Sequence, residues 1–238
     1  MTISRRVAII GDGKMGRMVA SVAAERGHHV VATLTASRNP DGSGISPQSL
    51  DAPDVAIEFT APGAALSNVL ACLRARIPVV VGTTGWYDQL VLVQHEVAAQ
   101  DGSVFYAPNF SLGVALFIQI AEQAAQAMRD VEEFDPQIVE THHRSKRDAP
   151  SGTAASLAAR LGAPMGREVP ITSVRVGSVP GTHEVLFDAP FEQIRLTHEA
   201  RDRRVFAAGA VRAAEWLVGR QGLFTMRDML QLTTEHRP

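Results

Sequence analysis

The sequence predicts an α/β protein, an N-terminal doubly wound parallel sheet followed by an α+β domain. Three observations predict it. Short apolar runs rich in β-branched residues alternate with helical stretches over the first 110 residues, the pattern of a parallel sheet with crossover helices. A glycine-rich turn, Gly11-Asp12-Gly13-Lys14-Met15-Gly16, follows the first such run. Beyond residue 170, three β-like runs succeed one another without an intervening helix, which belongs to a mixed or antiparallel sheet.

Residues 6–10 are apolar and β-branched and read as a buried strand. After the glycine turn, helical character runs over 17–26 and stops at Gly27. Residues 29–34 form a second strand. Strand, GxGxxG, helix and strand within about 30 residues is the context a dinucleotide fingerprint requires. Gly11 permits the tight turn, Gly13 lets a pyrophosphate approach the backbone, and Gly16 lets helix and strand pack closely. Around Asp12, Lys14 and Met15 the phosphates would meet N–H groups at the positive end of the helix dipole. Residues 54–60, 77–81 and 103–107 read as further strands, with helices over 62–76 and 86–100. Right-handed crossovers then give an open, Rossmann-like sheet.

Ligands of such sheets lie at the carboxyl ends of the strands. Three loops fall there: Phe59-Thr60-Ala61-Pro62, Gly82-Thr83-Thr84-Gly85 and Ala107-Pro108-Asn109-Phe110. Gly82, Thr83 and Thr84 offer backbone and hydroxyl groups to a nicotinamide ribose or carboxamide. Asn109 and Phe110 offer a hydrogen bond and a packing face to the nicotinamide end. An NAD enzyme often carries an acid about 20 residues past the glycines, bonded to the ribose 2′-OH. Here Thr35-Ala36-Ser37-Arg38 holds none before Asp41. Ser37 and Arg38 suit a 2′-phosphate, which favours NADPH, or dual use with NADH.

Residues 111–128 read as a long Ala-rich amphipathic helix leaving the first domain, 135–142 as a strand, and 151–161 as a helix. The β-like runs are 171–179, 183–189 and 193–198. A helix over 205–217 returns to the first domain, and a last short helix covers 224–230. The expected domains are 1–110 with 206–238, and 111–205.

Apolar residues at 45% and charged residues at 20% are ordinary globular values. A net charge of -2 speaks against a general nucleic-acid binder. The single cysteine, Cys72, forms no internal disulfide, fits a reducing compartment, and reads as a small buried core residue. No apolar run approaches the roughly 20 residues that span a bilayer, and Met1 to Arg6 lacks a signal-peptide pattern. A cytoplasmic protein without membrane or nucleic-acid partners is expected.

The most informative loop is His142-His143-Arg144-Ser145-Lys146-Arg147-Asp148-Ala149-Pro150-Ser151-Gly152-Thr153. It crowds up to five positive charges together with few acids to pair them. Crowding of cations favours the neutral forms of Lys and His, and an acidic substrate would restore the charged forms. Pro150 delays the helix start. Ser151 is its N-cap, and the Gly152 and Thr153 N–H groups, with the helix dipole behind them, suit a carboxylate. Two anion-binding elements so close imply a small dicarboxylate. Adjacent histidines on a strand point to opposite faces and chelate one ion poorly, so no metal is expected. Asp148 is an alternative helix cap or a partner for Lys146.

This loop, continuing to Ala154, resembles the signature of the dihydrodipicolinate reductase family of lysine and diaminopimelate synthesis. The similarity extends to Lys14-Met15-Gly16, Gly82-Thr83-Thr84-Gly85, Ala107 through Gly113, Gly209-Ala210-Val211-Arg212, Gly222-Leu223-Phe224 and Met226-Arg227-Asp228. The resemblance implies a Rossmann-like domain completed by the C-terminal tail, and an inserted domain for substrate binding and oligomerisation as a homotetramer. It implies hydride transfer from NADPH or NADH to a cyclic imine dicarboxylate. By family pattern, His142 and Lys146 transfer protons, with Lys146 the final donor. His143, Gly152 and Thr153 match substrate-binding positions, and Arg203 adds an anion contact. The chain departs from the pattern in three places. Ser145 stands where members often carry a third histidine, the acid after the second strand is missing, and the glycine loop is one residue shorter than in many members. On the residues alone, two other readings stay open. One is another nicotinamide-dependent imino- or amino-acid dehydrogenase, against which the basic loop beside Ser-Gly-Thr speaks. The other is a non-catalytic Rossmann-type nucleotide sensor, which would not need both His142 and Lys146.

Overall fold

The computed structural model describes residues 3–231. It divides into two units, Met1–Phe110 with Arg204–Pro238, and Ser111–Arg203. Residues 1–2 and 232–238 of the expected first domain lie outside the described residues. In chain order, the first unit contains β1 (Arg6–Ile10), α1 (Lys14–Glu25), β2 (His29–Leu34), β3 (Val55–Glu58), α2 (Pro62–Arg74), β4 (Val79–Val81), α3 (Leu90–Ala99) and β5 (Ser103–Tyr106). The second contains α4 (Leu112–Ala127), β6 (Asp135–His142), α5 (Gly152–Met165), β7 (Ile171–Arg175), β8 (Thr182–Ala189) and β9 (Glu192–Glu199). The chain then returns to the first unit as α6 (Arg204–Leu217), β10 (Gly222–Phe224) and α7 (Met226–Leu230).

The first unit is a parallel six-stranded sheet in the order β10-β5-β4-β3-β1-β2. β3 and β4 are buried along their whole length, as central strands covered on both faces must be. The chain leaves β1 for one side of the sheet and then crosses to the other, which makes the carboxyl end of β1 the topological switch point. Small residues on α6 (Ala207, Gly209, Ala210, Ala213, Ala214) are buried. A Cβ on Gly209 would lie 1.7 Å from the Phe110 carbonyl oxygen, so only glycine fits there. Glu215 of α6 is held by Arg26 at 2.9 Å and by His28 Nε2 at 2.8 Å. Arg5 N donates to His28 Nδ1, which places the ring hydrogen on Nε2, towards Glu215.

Sequence and structure differ here in the tail. The expected helix over 224–230 is α7, which starts at Met226, and residues 222–224 form an unexpected strand, β10. β10 pairs with β5, Phe224 beside Phe105, and three residues carry no readable period. α7 starts where Thr225 N and Oγ1 both donate to Asp228 Oδ2, at 2.6 and 2.7 Å.

The second unit is a mixed sheet in the order β7-β6-β8-β9, with β6 parallel to β7 and antiparallel to β8. β6 alternates strictly, burying Pro136, Ile138, Glu140 and His142. Ile138, Val185 and Phe187 pack with Phe117 and Ala121 of α4 and Leu157 and Leu161 of α5. α5 runs a turn past its expected end, through Pro164, to a left-handed Gly166. β7 stops at Arg175 rather than continuing to 179. Among the described residues no helix is long and apolar enough to cross a membrane.

Candidate active site

In the first unit the glycine turn joins β1 to α1. Gly11 has φ +105°, and a Cβ there would lie 2.1 Å from the Phe59 carbonyl oxygen. A Cβ on Gly16 would lie 1.9 Å from the Gly11 carbonyl oxygen. Gly13 is different. It caps α1 without a side-chain hydrogen bond, and its missing Cβ faces open space. A helix N-terminus presented this way suits an anion. Asp12 and Lys14 are exposed and Met15 is half-buried. Arg17, which sequence reasoning did not single out, reaches back to the Asp12 carbonyl at 2.6 Å.

The other expected cofactor residues occupy the strand ends. The Phe59 ring fills the place a side chain on Gly82 would take. The Thr83 hydroxyl is buried and accepts from Thr60 N at 2.8 Å, while its carbonyl accepts from Trp86 Nε1. Thr84 is exposed. Ala107 and Phe110 are buried, Asn109 is half-buried and Pro108 exposed. The Phe110 ring meets Phe59 and Phe105. Arg38 lies in a turn after β2, exposed and without an ion-pair partner among the described residues. It makes none of these contacts.

A buried chain that sequence reasoning missed ties the neighbouring loops together. Glu58, the last residue of β3, is fully buried. It accepts from Thr60 Oγ1 and from Asn68 Nδ2. Asn68 Oδ1 accepts from Asn39 Nδ2 at 2.7 Å, and Asn39 Oδ1 from Gly44 N at 3.1 Å. Burial pushes the Glu58 carboxyl up, against the hydrogen bonds it receives. The signal was a lone acid ending an apolar strand.

In the second unit His142 ends β6 and is buried. Its Nδ1 lies against Glu140 Oε2. Glu140 Oε1 accepts from Arg175 Nη2 at 2.7 Å and from Ser151 N at 3.3 Å. Arg175 also donates to the Asp148 carbonyl at 2.6 Å. The His183 ring stands edge-on to His142 at 5.2 Å, and its Nε2 lies 3.3 Å from Ser151 Oγ. That hydroxyl caps α5 by accepting from Ala154 N. Gly152 is exposed with open space at its Cβ position, and Thr153 is half-buried in the first turn of the helix. His143 bonds Ser145 Oγ through Nδ1 at 2.9 Å, and its Nε2 accepts from Arg203 at 3.0 Å. Ser145 thus makes a hydrogen bond of its own to the neighbouring ring.

The loop is less short of acids than its sequence suggests. Lys146 Nζ donates to both Asp148 oxygens at 2.8 Å, and this bond holds the Asp148 carboxyl below its usual range. Burial alone would raise Glu140, but hydrogen bonds from Arg175 and Ser173 and the charges of His142 and Arg175 bring it down to about 2. Burial lowers the pKa of His142, with Lys146 and Arg175 in the same direction and Glu140 opposing. Burial also brings His183 down to about 4. Both imidazoles are therefore neutral at pH 7, and burial is the first cause, ahead of the crowding of cations.

Glu140, His142 and His183 each bring a ligand atom within 4.8 Å of the others. One Glu140 oxygen is already taken by Arg175 and Ser151 N, and the other contacts His142. Sequence reasoning passed over Glu140, Arg175 and His183. Only Glu140 had a local signal, the alternation that puts it on the same strand face as His142.

Two family models match the chain. They are dihydrodipicolinate reductase, N-terminus, over residues 5–110, and dihydrodipicolinate reductase, C-terminus, over residues 113–230. A 4-hydroxy-tetrahydrodipicolinate reductase of Christiangramia forsetii is 37% identical over 236 residues, covering 94% of this chain and 97% of its own. Another, of Thiobacillus denitrificans, is 36% identical over 269 residues, covering 97% and 100%. Among solved structures, a dipicolinate-bound dihydrodipicolinate reductase from Paenisporosarcina sp. TG-14 aligns with a TM-score of 0.79 at 24% identity, over 96% of this chain and 100% of that one. A probable dehydrogenase from Thermotoga maritima aligns with 0.60 at 10% identity, over 94% and 92%. These two structures share the fold.

Proposed function

The chain belongs to the dihydrodipicolinate reductase family, and on that premise we propose the following reaction and division of labour. The protein reduces 4-hydroxy-tetrahydrodipicolinate, a small cyclic dicarboxylate, to tetrahydrodipicolinate, a step of lysine and diaminopimelate synthesis; the 4-hydroxyl leaves as water, giving dihydrodipicolinate, and that ring takes up the hydride and a proton. The observation that carries the reading is the loop between β6 and α5. It sets His142, His143 and Lys146 beside the N-terminus of α5, with Arg203 bonded to His143.

The first unit, taken as 1–110 with 206–238, is the dinucleotide-binding domain. Its residues fit a nicotinamide dinucleotide: the uncapped N-terminus of α1 and the open space at Gly13 suit a pyrophosphate. Gly11 to Gly16, Gly82 to Thr84 and Ala107 to Phe110 hold it. Thr83 acts by fixing the loop that displays Thr84. Arg38, exposed and with no acid paired to it among the described residues, binds a 2′-phosphate, so NADPH is preferred over NADH. Bound there, the reduced nicotinamide supplies the hydride.

The second unit, taken as 111–205, binds the substrate and assembles the homotetramer. His143, Ser151, Gly152, Thr153 and Arg203 clamp the two carboxylates and so orient the ring. Lys146 Nζ delivers a proton to the electron-rich ring as it is reduced, and His142 shares in that transfer. For assembly, β9 is largely exposed, and Val174, Val176, Phe191 and Ile194 leave apolar surface on this unit. The single buried Cys72 and the biosynthetic role suit the cytoplasm.

The test is cofactor oxidation with substrate made in place by dihydrodipicolinate synthase from pyruvate and aspartate semialdehyde. The reading expects oxidation that depends on the synthase. Cofactor binding without oxidation would contradict it.

A further inference from the structure

Glu140 lies outside every site residue the sequence suggested, yet it touches two functional groups at once. One of its oxygens meets the ring of His142, the other the Ser151 amide that opens α5. We propose that Glu140 is the positioning residue of the substrate half. It holds His142 in one tautomer and keeps that ring in register with the carboxylate-binding helix end.

The fold builds this arrangement from three strands. Alternation along β6 puts Glu140 and His142 on the same buried face. Parallel pairing sets Arg175 of β7 beside His142, and antiparallel pairing sets His183 of β8 opposite Glu140. Arg175 anchors the carboxylate at 2.7 Å and neutralises it, which a buried acid requires. An ionised carboxylate only accepts hydrogen bonds. A neutral imidazole has one N–H, so contact with Glu140 places that hydrogen on Nδ1 and leaves the Nε2 lone pair available. Gly181 keeps Nε2 uncovered, since a Cβ there would lie 3.1 Å from it.

The charged and titratable groups around His142 are Glu140 on its own strand, Arg175 on β7, His183 on β8 and Lys146 on the loop that follows. Of these only Glu140 favours protonation of His142; burial, Lys146 and Arg175 oppose it. Removing the Glu140 charge without changing its shape should therefore lower the pH at which His142 titrates.

The consequence for turnover rests on the reductase reading, whereas the tautomer does not. The experiment is ring-nitrogen NMR of protein labelled with ¹⁵N histidine, with His142→Gln used to assign the signal, together with kinetics of Glu140→Gln and Glu140→Asp. The wild type is expected to show His142 as the Nδ1–H form at neutral pH. Glu140→Gln should lose that single form, titrate at lower pH, and lose kcat on the order of 100-fold with cofactor Kd unchanged. Glu140→Asp, which keeps the charge, should recover part of both. An Nε2–H or cationic His142 in the wild type overturns the inference without recourse to any variant. So does a Glu140→Gln protein with unchanged tautomer and kcat. An Nδ1–H ring in a protein without turnover would instead sink the reductase reading and leave the position of Glu140 standing.

Discussion

Lys146 is the proposed proton donor, and Asp148 is what holds it. Its two bonds to Asp148 are partly exposed and contribute no more than about 1 kcal/mol to stability. Lys146→Ala should therefore fold normally, lose roughly 10²- to 10⁴-fold in kcat, and keep its cofactor Kd within about twofold. Steady-state kinetics and a cofactor titration check this. A nucleotide sensor would keep its full cofactor response in the same variant. Arg38→Ala should weaken NADPH binding and leave NADH binding nearly unchanged, as paired titrations would read. The residues of this site were legible in the sequence where the chemistry is local. His142, Lys146 and Ser151 lie within ten residues of one another, so their types and spacing sufficed. Glu140 was legible only through strand alternation. Arg175 and His183 come from two other strands, and only the pairing of β7 and β8 with β6 brings them in.

At the scale of elements, the start of α5 joins stability to the proposed carboxylate binding. Ser151→Ala removes the cap on Ala154 N and the hydroxyl near His183. It should cost about 1 kcal/mol in urea unfolding and weaken binding of a dicarboxylate such as dipicolinate. The β6–β8 face also sets an acid limit. His142 and His183 have folded pKa values below the ordinary 6.5, His183 at about 4. Between those values the unfolded chain binds more protons, so stability falls as pH drops from 6.5 towards 4. Glu140 acts lower, since its carboxylate stabilises the fold above 4.5 and that contribution is lost as pH falls towards 2. Calorimetry should show the thermal midpoint declining through the upper window, and less steeply in His183→Gln, which cannot charge. The strands of the first sheet and its crossover helices were readable because the strand runs are mostly apolar without alternation, Arg6 and Glu58 apart. β10 was not, because a three-residue edge strand is specified by its partner β5 and not by its own pattern.

For the whole molecule, the alternation of strands and helices, then strands following strands, was enough to anticipate both architectures. The return of the chain through α6 was readable from its helical period. Its seating on the sheet depends on buried small residues and the Arg26–Glu215–His28 contact, which are long-range. Sedimentation equilibrium should give a mass four times 25.6 kDa, and Phe191→Glu, at a fully exposed apolar position, should lower it. The claim that joins all three scales is that a hydride moves from a bound nicotinamide cofactor to a cyclic dicarboxylate substrate. The most direct measurement is the mass of tetrahydrodipicolinate formed from NADPH deuterated at the transferring position of its nicotinamide ring. Incorporation of a single deuterium into the product is the expected result. Product without deuterium, or labelled cofactor bound but never consumed, would contradict it.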